Sequence, residues 1–171
     1  MIILKNDREL QAMRKAGIIS AKALKLAGEA VHPGVTTGHI DKLIYDYIVS
    51  EGARPSFLGY GDFPGSACIS INDEVIHGIP GGRLIQEGDI VSVDVGAFYE
   101  GFHGDNAATF PAGEVSEDAQ KLMDATRESL NEAIKVAQPG ARLGDVSNAV
   151  QSYVEARGYS VVKEFVGHGV G

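Results

Sequence analysis

The feature that most restricts the fold is a repeat at a constant offset of 106 residues. Pro33-Gly34 recurs as Pro139-Gly140, Gly38 as Gly144, Ile40 as Val146, Ile44 as Val150, Tyr47 as Tyr153, Ile48 as Val154 and Gly52 as Gly158. These are a helix stop, the start of the next helix, its apolar stripe and its C-terminal cap, in register without a gap. Self-similarity of this kind marks two copies of one supersecondary unit. The first copy reads as two helices and a sheet, the second as two helices and at most one strand. The strand expected from Ser66 should have a counterpart near position 172, and the sequence ends at Gly171. The expectation is a single truncated domain over 1–171, with 1–113 the first repeat and 114–171 the start of an incomplete second.

Local signals place the elements. Asn6 with Glu9 reads as a capping box opening a helix, along which Leu10, Met13, Gly17, Leu24 and Val31 recur near helical spacing. His32-Pro33-Gly34 ends it. Thr37 can cap a second helix with Ile40, Leu43, Ile44, Tyr47 and Ile48 inward and Gly52 at the C-terminal cap. The Gly/Pro-rich passage from Pro55 to Gly65 carries Phe57, Tyr60 and Phe63, which read as a pocket wall or as packing against the core. Ser66 to Ile71 has strand composition. Ser116 caps a third helix to Gln138, with Leu122, Ala125, Leu130, Ala133 and Ile134 as inward candidates. Gly144-Asp145 opens a fourth ending at Gly158, and Ser160 to Val166 reads as a strand leading to Gly167-His168-Gly169.

Between these halves lies a β-hairpin. Val91, Val93 and Val95 share one face and Ser92 and Asp94 the other, the two-residue period of a strand. A turn near Tyr99-Glu100-Gly101 returns the chain through Phe102 to Phe110, with His103 and Asp105 on a shared face. With Tyr99-Glu100 as the loop, Asp94 opposes Asp105 directly. With Glu100-Gly101 as the loop, Asp94 opposes Ala107 and Asp105 is its diagonal neighbour. Either register puts both carboxylates on one face, where like charges are destabilising. At about 4 Å two carboxylates repel by about 4 kcal/mol in an effective dielectric of about 20. A shared proton, a basic partner or a divalent cation would offset this, and two aspartates supply hard oxygens for metals such as Mn, Fe or Co.

Composition narrows the partners. With 171 residues and 44% hydrophobic content, the chain has enough length for a real core. A net charge of −8 with no cluster of Lys and Arg disfavours nucleic acid and anionic membranes as partners. The single Cys68 rules out an intramolecular disulfide and fits a reducing compartment. The apolar run Met1-Ile-Ile-Leu is too short for a signal peptide or membrane span, so a cytoplasmic location is expected.

Taken together, Cys68-Ile-Ser-Ile-Asn72, His77-Gly-Ile-Pro80, Gly88-Asp-Ile-Val91, Asp94, Gly101-Phe-His-Gly-Asp105 and Gly167-His-Gly-Val-Gly171 resemble the bacterial type I methionine aminopeptidases of metallopeptidase family M24. The resemblance covers the whole chain. It implies the α/β pita-bread (creatinase/aminopeptidase) fold, an antiparallel sheet with covering helices in two pseudo-symmetric repeats. It also implies removal of the N-terminal methionine from nascent polypeptides and Met-peptides by a hydroxide activated between two divalent ions, Co, Mn, Fe or Zn. By that resemblance Asp94, Asp105 and His168 are metal ligands, Asp105 bridging the two ions, and His77 is a catalytic residue that hydrogen-bonds substrate near the scissile peptide. Tyr60, Phe63 and Cys68, together with His77, bind substrate, the first three receiving the methionine thioether through aromatic and sulfur contacts. Phe57 stands where the family commonly has a smaller residue, and Phe63 where a tyrosine is usual. His103 is no primary ligand in the family, which leaves it a supporting role beside Asp105. His32 and His39 flank a turn and are expected at the surface.

The family completes its site with two glutamates from strands of the second repeat and uses a glutamate as general base, and 1–171 holds neither. The resulting expectation is that the 171-residue polypeptide binds fewer ions or binds them more weakly, and turns over Met-Ala-type peptides poorly. Uncovered strand edges and helix faces would favour self-association, where the family is usually monomeric. Two other readings stand beside this one: a prolidase-like peptidase of the same fold, which usually carries an extra N-terminal domain, and a binding homologue that has lost activity.

Overall fold

A computed structural model describes residues 3–170, which divide into two compact units, one built by the chain up to Val115 and the other by Ser116–His168. The first contains helices α1 (Asp7–Ala30) and α2 (Thr37–Ser50), the short strand β1 (Arg54–Pro55), β2 (Ala67–Ile71), and the hairpin strands β3 (Ile90–Tyr99) and β4 (Phe102–Pro111). The capping box forms as expected: Glu9 N donates to Asn6 Oδ1 at 3.1 Å and Asn6 N to Glu9 Oε2 at 2.8 Å. The cap of α2 falls one residue earlier than expected, with His39 N donating to Thr36 Oγ1 at 3.2 Å. Thr37 instead uses its hydroxyl to accept from Gly81 N at 2.9 Å, tying the loop before β3 to the start of α2.

The centre of the antiparallel sheet is β3. It pairs with β4 along its whole length, and with β1 at Phe98 and Ala97 and β2 from Val95 to Val91. The hairpin loop is Glu100-Gly101, with φ of +47° and +92°. Two left-handed residues in a two-residue loop suit the right-handed twist of the strands, and glycine takes the second position without a Cβ clash. Of the two registers left open by the sequence, this selects Asp94 opposite Ala107 and Asp105 opposite Gly96.

One sheet face is apolar and covered by the helices. Val91, Val93 and Val95 on β3 and Ile69 and Ile71 on β2 are buried there with Ile40, Ile44 and Ile48 of α2. Burying each such side chain contributes about 1.5–3 kcal/mol. The stripe of α1 differs from expectation. Ala12, Ala16, Ile19, Ser20, Ala23 and Ala27 are buried; of the residues noted at helical spacing, Val31 is buried and Leu24 packs against the core, whereas Leu10 is half exposed. The reason is closeness: a Cβ added at Gly104 of β4 would stand 2.3 Å from the Ala16 carbonyl carbon. Backbone against backbone leaves room only for small residues. Asn106, also on this face, is satisfied by donating to Ser20 Oγ at 2.6 Å.

The second unit contains α3 (Glu117–Val136), capped by Ser116, and α4 (Leu143–Glu155), which pack together. The buried positions of α3 are Ala125, Ser129 and Ala133, whereas Leu122, Leu130 and Ile134, expected inward, are exposed. Helical periodicity locates apolar stripes but does not say which stripe meets a neighbour. The repeat is visible in backbone detail. Residues α1 and α3 end at Ala30 and Val136, and Ala53 N donates to Ile48 O at 3.2 Å as Tyr159 N does to Val154 O at 3.1 Å. Gly52 and Gly158 have φ of +74° and +83°, the left-handed conformation that ends a helix. The strand expected over Ser160 to Val166 is absent; among the described residues this stretch is irregular, with bends at 163–165. Strand conformation is held by a ladder partner, as β1 is by β3, and no ladder reaches this segment among the described residues. No helix among the described residues is long and apolar enough to cross a membrane.

The tight α1–β4 contact makes a stability test. Gly104→Ala should lower unfolding stability by about 1–3 kcal/mol through overpacking. Gly17→Ala, where an added Cβ meets nothing within 4 Å, should raise it by about 0.5–1 kcal/mol through helix propensity. Urea titration of both variants checks the pair.

Candidate metal centre

The opposite face of the sheet carries the polar chemistry. Residues paired across strands share a face, so Cys68, Asp94 and Ala107 form one row over β2, β3 and β4, with Gly96 and Asp105 in the adjacent row. Asp94 and Asp105 are both half-buried, and Asp94 Oδ1 lies below the surface. Their diagonal relation sets the Cβ atoms about 7 Å apart, where the repulsion falls to about 2 kcal/mol in a dielectric of about 20. Ser92 and Thr109 oppose each other one row further along, their hydroxyls 2.8 Å apart and hydrogen-bonded.

Charge converges on this face. The Cys68 thiol is pushed up from 9.0 to about 12, first by burial and then by the negative charges of Asp94, Asp105 and Asp41. Asp41, on α2, accepts from Ser66 N at 2.7 Å and Ala67 N at 2.9 Å. Burial raises its carboxyl above the usual value, and the two backbone donors pull the other way. Beside β2, Gly78 N donates to Ser70 Oγ at 3.0 Å and Ile69 N to Gly78 O at 2.9 Å, docking the loop that carries His77. His77 itself has φ of +60°. A non-glycine residue held in the left-handed region costs about 1–3 kcal/mol, and such outliers cluster at functional sites.

Comparison with known proteins decides the family. The profile of metallopeptidase family M24 matches residues 11–171. The chain is 52% identical over 172 residues to the methionine aminopeptidase of Clostridium acetobutylicum, a match that covers 100% of this chain and 69% of the relative. The chain belongs to metallopeptidase family M24. Among M24 structures, the methionine aminopeptidase of Thermotoga maritima superposes with a TM-score of 0.97 at 43% identity, covering 99% of this chain and 69% of that one. The prolidase of Pyrococcus furiosus, at 23% identity and a TM-score of 0.82, shares the fold alone. The pita-bread architecture is common to these structures, and this chain's membership of a metallopeptidase family implies use of divalent metal.

Asp94 and Asp105 thus lie in adjacent rows of one sheet. His168 lies at the end of the second unit in an irregular, exposed stretch. Among the described residues no three His, Cys, Asp or Glu side chains gather closely enough to hold a metal ion. Of the residues expected from the sequence to bind substrate, Cys68 is buried, Phe63 is half-buried, His77 is exposed and Tyr60 is 81% exposed. Sequence reasoning passed over three residues on or beside this face. Asp41 belongs to no motif in the sequence, and its carboxylate ties the start of β2 to α2. Gly96 breaks a strand interior, a sign of close approach by another group, and here a Cβ would stand 2.6 Å from Phe57 Cε1. Ser56 holds that approach, its N–H donating to Gly96 O at 2.9 Å.

The raised thiol yields a chemical test. Only thiolate is nucleophilic, and a more basic thiolate is the stronger nucleophile, so at pH 8 Cys68 should react with iodoacetamide roughly 30- to 60-fold more slowly than a thiol of ordinary pKa. Asp94→Asn removes one of the negative charges that disfavour thiolate and should speed alkylation at fixed pH. Mass spectrometry of the labelled peptide measures both rates.

Proposed function

We propose that this chain carries the activity of the relatives it matches, removal of an N-terminal methionine from peptides and nascent polypeptides in the cytoplasm. The observation that carries the reading is the placement of Asp94 and Asp105 on one face in adjacent rows, with their joint charge felt at Cys68. The donor set fits a divalent cation: two hard-oxygen carboxylates, one with a buried oxygen atom, in a local excess of negative charge that a cation would neutralise. Asp94 and Asp105 would hold divalent metal, Co, Mn, Fe or Zn, on this face. Such ions, when bound, lower the pKa of water and polarise a carbonyl. The chain's own residues do the rest. His77, fixed in its strained turn by the Gly78 contacts, supplies an imidazole hydrogen bond to the substrate beside the scissile peptide. Tyr60, Phe63 and Cys68 receive the thioether side chain.

Calorimetry with Mn2+ should give binding heat for the unmodified protein and none for Asp105→Ala. Indistinguishable titrations would remove Asp105 from the metal site and favour a binding homologue. Turnover of Met-Ala-type peptides should exceed that of X-Pro peptides. It should fall on the order of 100-fold in His77→Ala, the size of effect seen when one preorganised donor is lost, and by at least about 100-fold in Asp105→Ala. Preference for X-Pro peptides would point instead to a prolidase.

A further inference from the structure

A cluster at the turn end of the polar face contains none of the proposed metal ligands. Ser56 Oγ and His103 Nδ1 share a 2.8 Å hydrogen bond. His103 opposes Phe98 across the hairpin, their ring centroids 4.8 Å apart and their planes tilted by 58°. The guanidinium of Arg54 lies 4.2 Å from the centre of the Phe98 ring. The imidazole is thus braced on one side by an aromatic ring and bonded on the other to the residue that precedes Phe57. Phe57 in turn occupies the space that a side chain at Gly96 would need, with Phe57 Cε1 2.6 Å and Ser56 Cβ 2.7 Å from an added Cβ. Gly96 is the residue directly opposite Asp105. The loop after β1 therefore lays an aromatic ring across the row of the sheet that carries one of the two aspartates. Two bonds pin it there: the backbone bond from Ser56 to Gly96, and the side-chain bond from Ser56 to a residue two before that same aspartate.

We propose that Ser56 and His103 form a latch that positions Phe57 over the Gly96–Asp105 row, and that the latched ring sets which N-terminal side chains the site admits. The second half rests on the aminopeptidase reading above; the latch itself does not. His103 is a positioning residue that acts through Phe57. A ring held at one place beside the aspartates leaves a slot of fixed width, which suits a straight thioether and resists bulkier or branched side chains. Releasing the ring widens the slot, so binding of methionine weakens and discrimination is lost together. The latch is one hydrogen bond between partly exposed groups, so its loss should change KM and selectivity only about threefold to tenfold.

The chain contains no tryptophan, so Phe57→Trp places a single fluorescent reporter at the latched position. In that background His103→Ala and Ser56→Ala should each red-shift the emission and increase acrylamide quenching. His103→Asn, which keeps a hydrogen-bonding atom near the Nδ1 position, should restore both. In the otherwise unmodified sequence, amide hydrogen exchange over 56–63 should accelerate in His103→Ala while the melting temperature stays close to that of the parent. With peptide substrates, His103→Ala should raise KM for an N-terminal methionine with kcat within about twofold, and should narrow the preference for methionine over leucine or phenylalanine. Unchanged emission, quenching and exchange in both alanine variants would overturn the latch. A working latch with unaltered selectivity would overturn its role in specificity. Absence of any Met-peptide turnover in the unmodified protein would overturn the functional reading, and exchange and emission would still decide the latch.

Discussion

The two-residue turn at Glu100-Gly101 is the constraint on which the rest of the first unit depends. Side chains alternate across a strand, so slipping β4 by one residue against β3 would exchange its two faces. Gly104 would leave its place beneath Ala16, where only glycine lets α1 approach, and Asn106 would lose Ser20. Asp105 would turn toward the valines. The hairpin register is therefore over-determined, by the left-handed pair in the loop and by glycines that fit only where they are.

That register also divides the sheet chemically. The face toward α1 and α2 is filled by Ile, Val and Ala, and the opposite face gathers Cys68, Asp94, Asp105 and the Ser92–Thr109 pair. Placing carboxylates on a sheet whose other side is largely apolar and covered by helices keeps them partly out of water, and their charge reaches the thiol beside them. The diagonal rather than direct placement of the aspartates matters here. It lowers their mutual repulsion and leaves space between them that a direct pair would close. The same face is approached from two sides by loops held through backbone contacts, Gly78 against β2 and Ser56 against β3.

The repeat shows how far a local code can be copied without its surroundings. The two helix pairs share the turn between the helices and the C-terminal bonding of the second helix to within tenths of an ångström: Val35 N to His32 O at 3.3 Å against Ala141 N to Gln138 O at 3.0 Å, and Gly52 N to Val49 O and Gly158 N to Glu155 O both at 3.0 Å. Their environments differ. Gly38 accommodates the Gly81 backbone, with a hypothetical Cβ 2.9 Å from Gly81 O, whereas its counterpart Gly144 meets nothing within 4 Å. Helix caps are set by a few neighbouring residues. Packing is set by whatever lies alongside.

By itself, the sequence determined what depends on neighbours within a few residues: the capping box, the helix stops, the alternating faces of the hairpin and the repeat. It also placed both aspartates on one face, because strand alternation does not depend on register between them. The family was legible from spaced motifs whose joint occurrence is specific. Tertiary structure alone decided the rest. The loop choice that made Asp94 and Asp105 diagonal neighbours, the alanine stripe of α1 in place of Leu10, and the exposure of Leu122 and Ile134 all turn on which surfaces meet. Residues 160–166 have strand composition and form no strand, since a ladder requires a partner. Local chemistry fixes which conformations and faces are available to a segment; only long-range contact, paid for in chain entropy, selects among them.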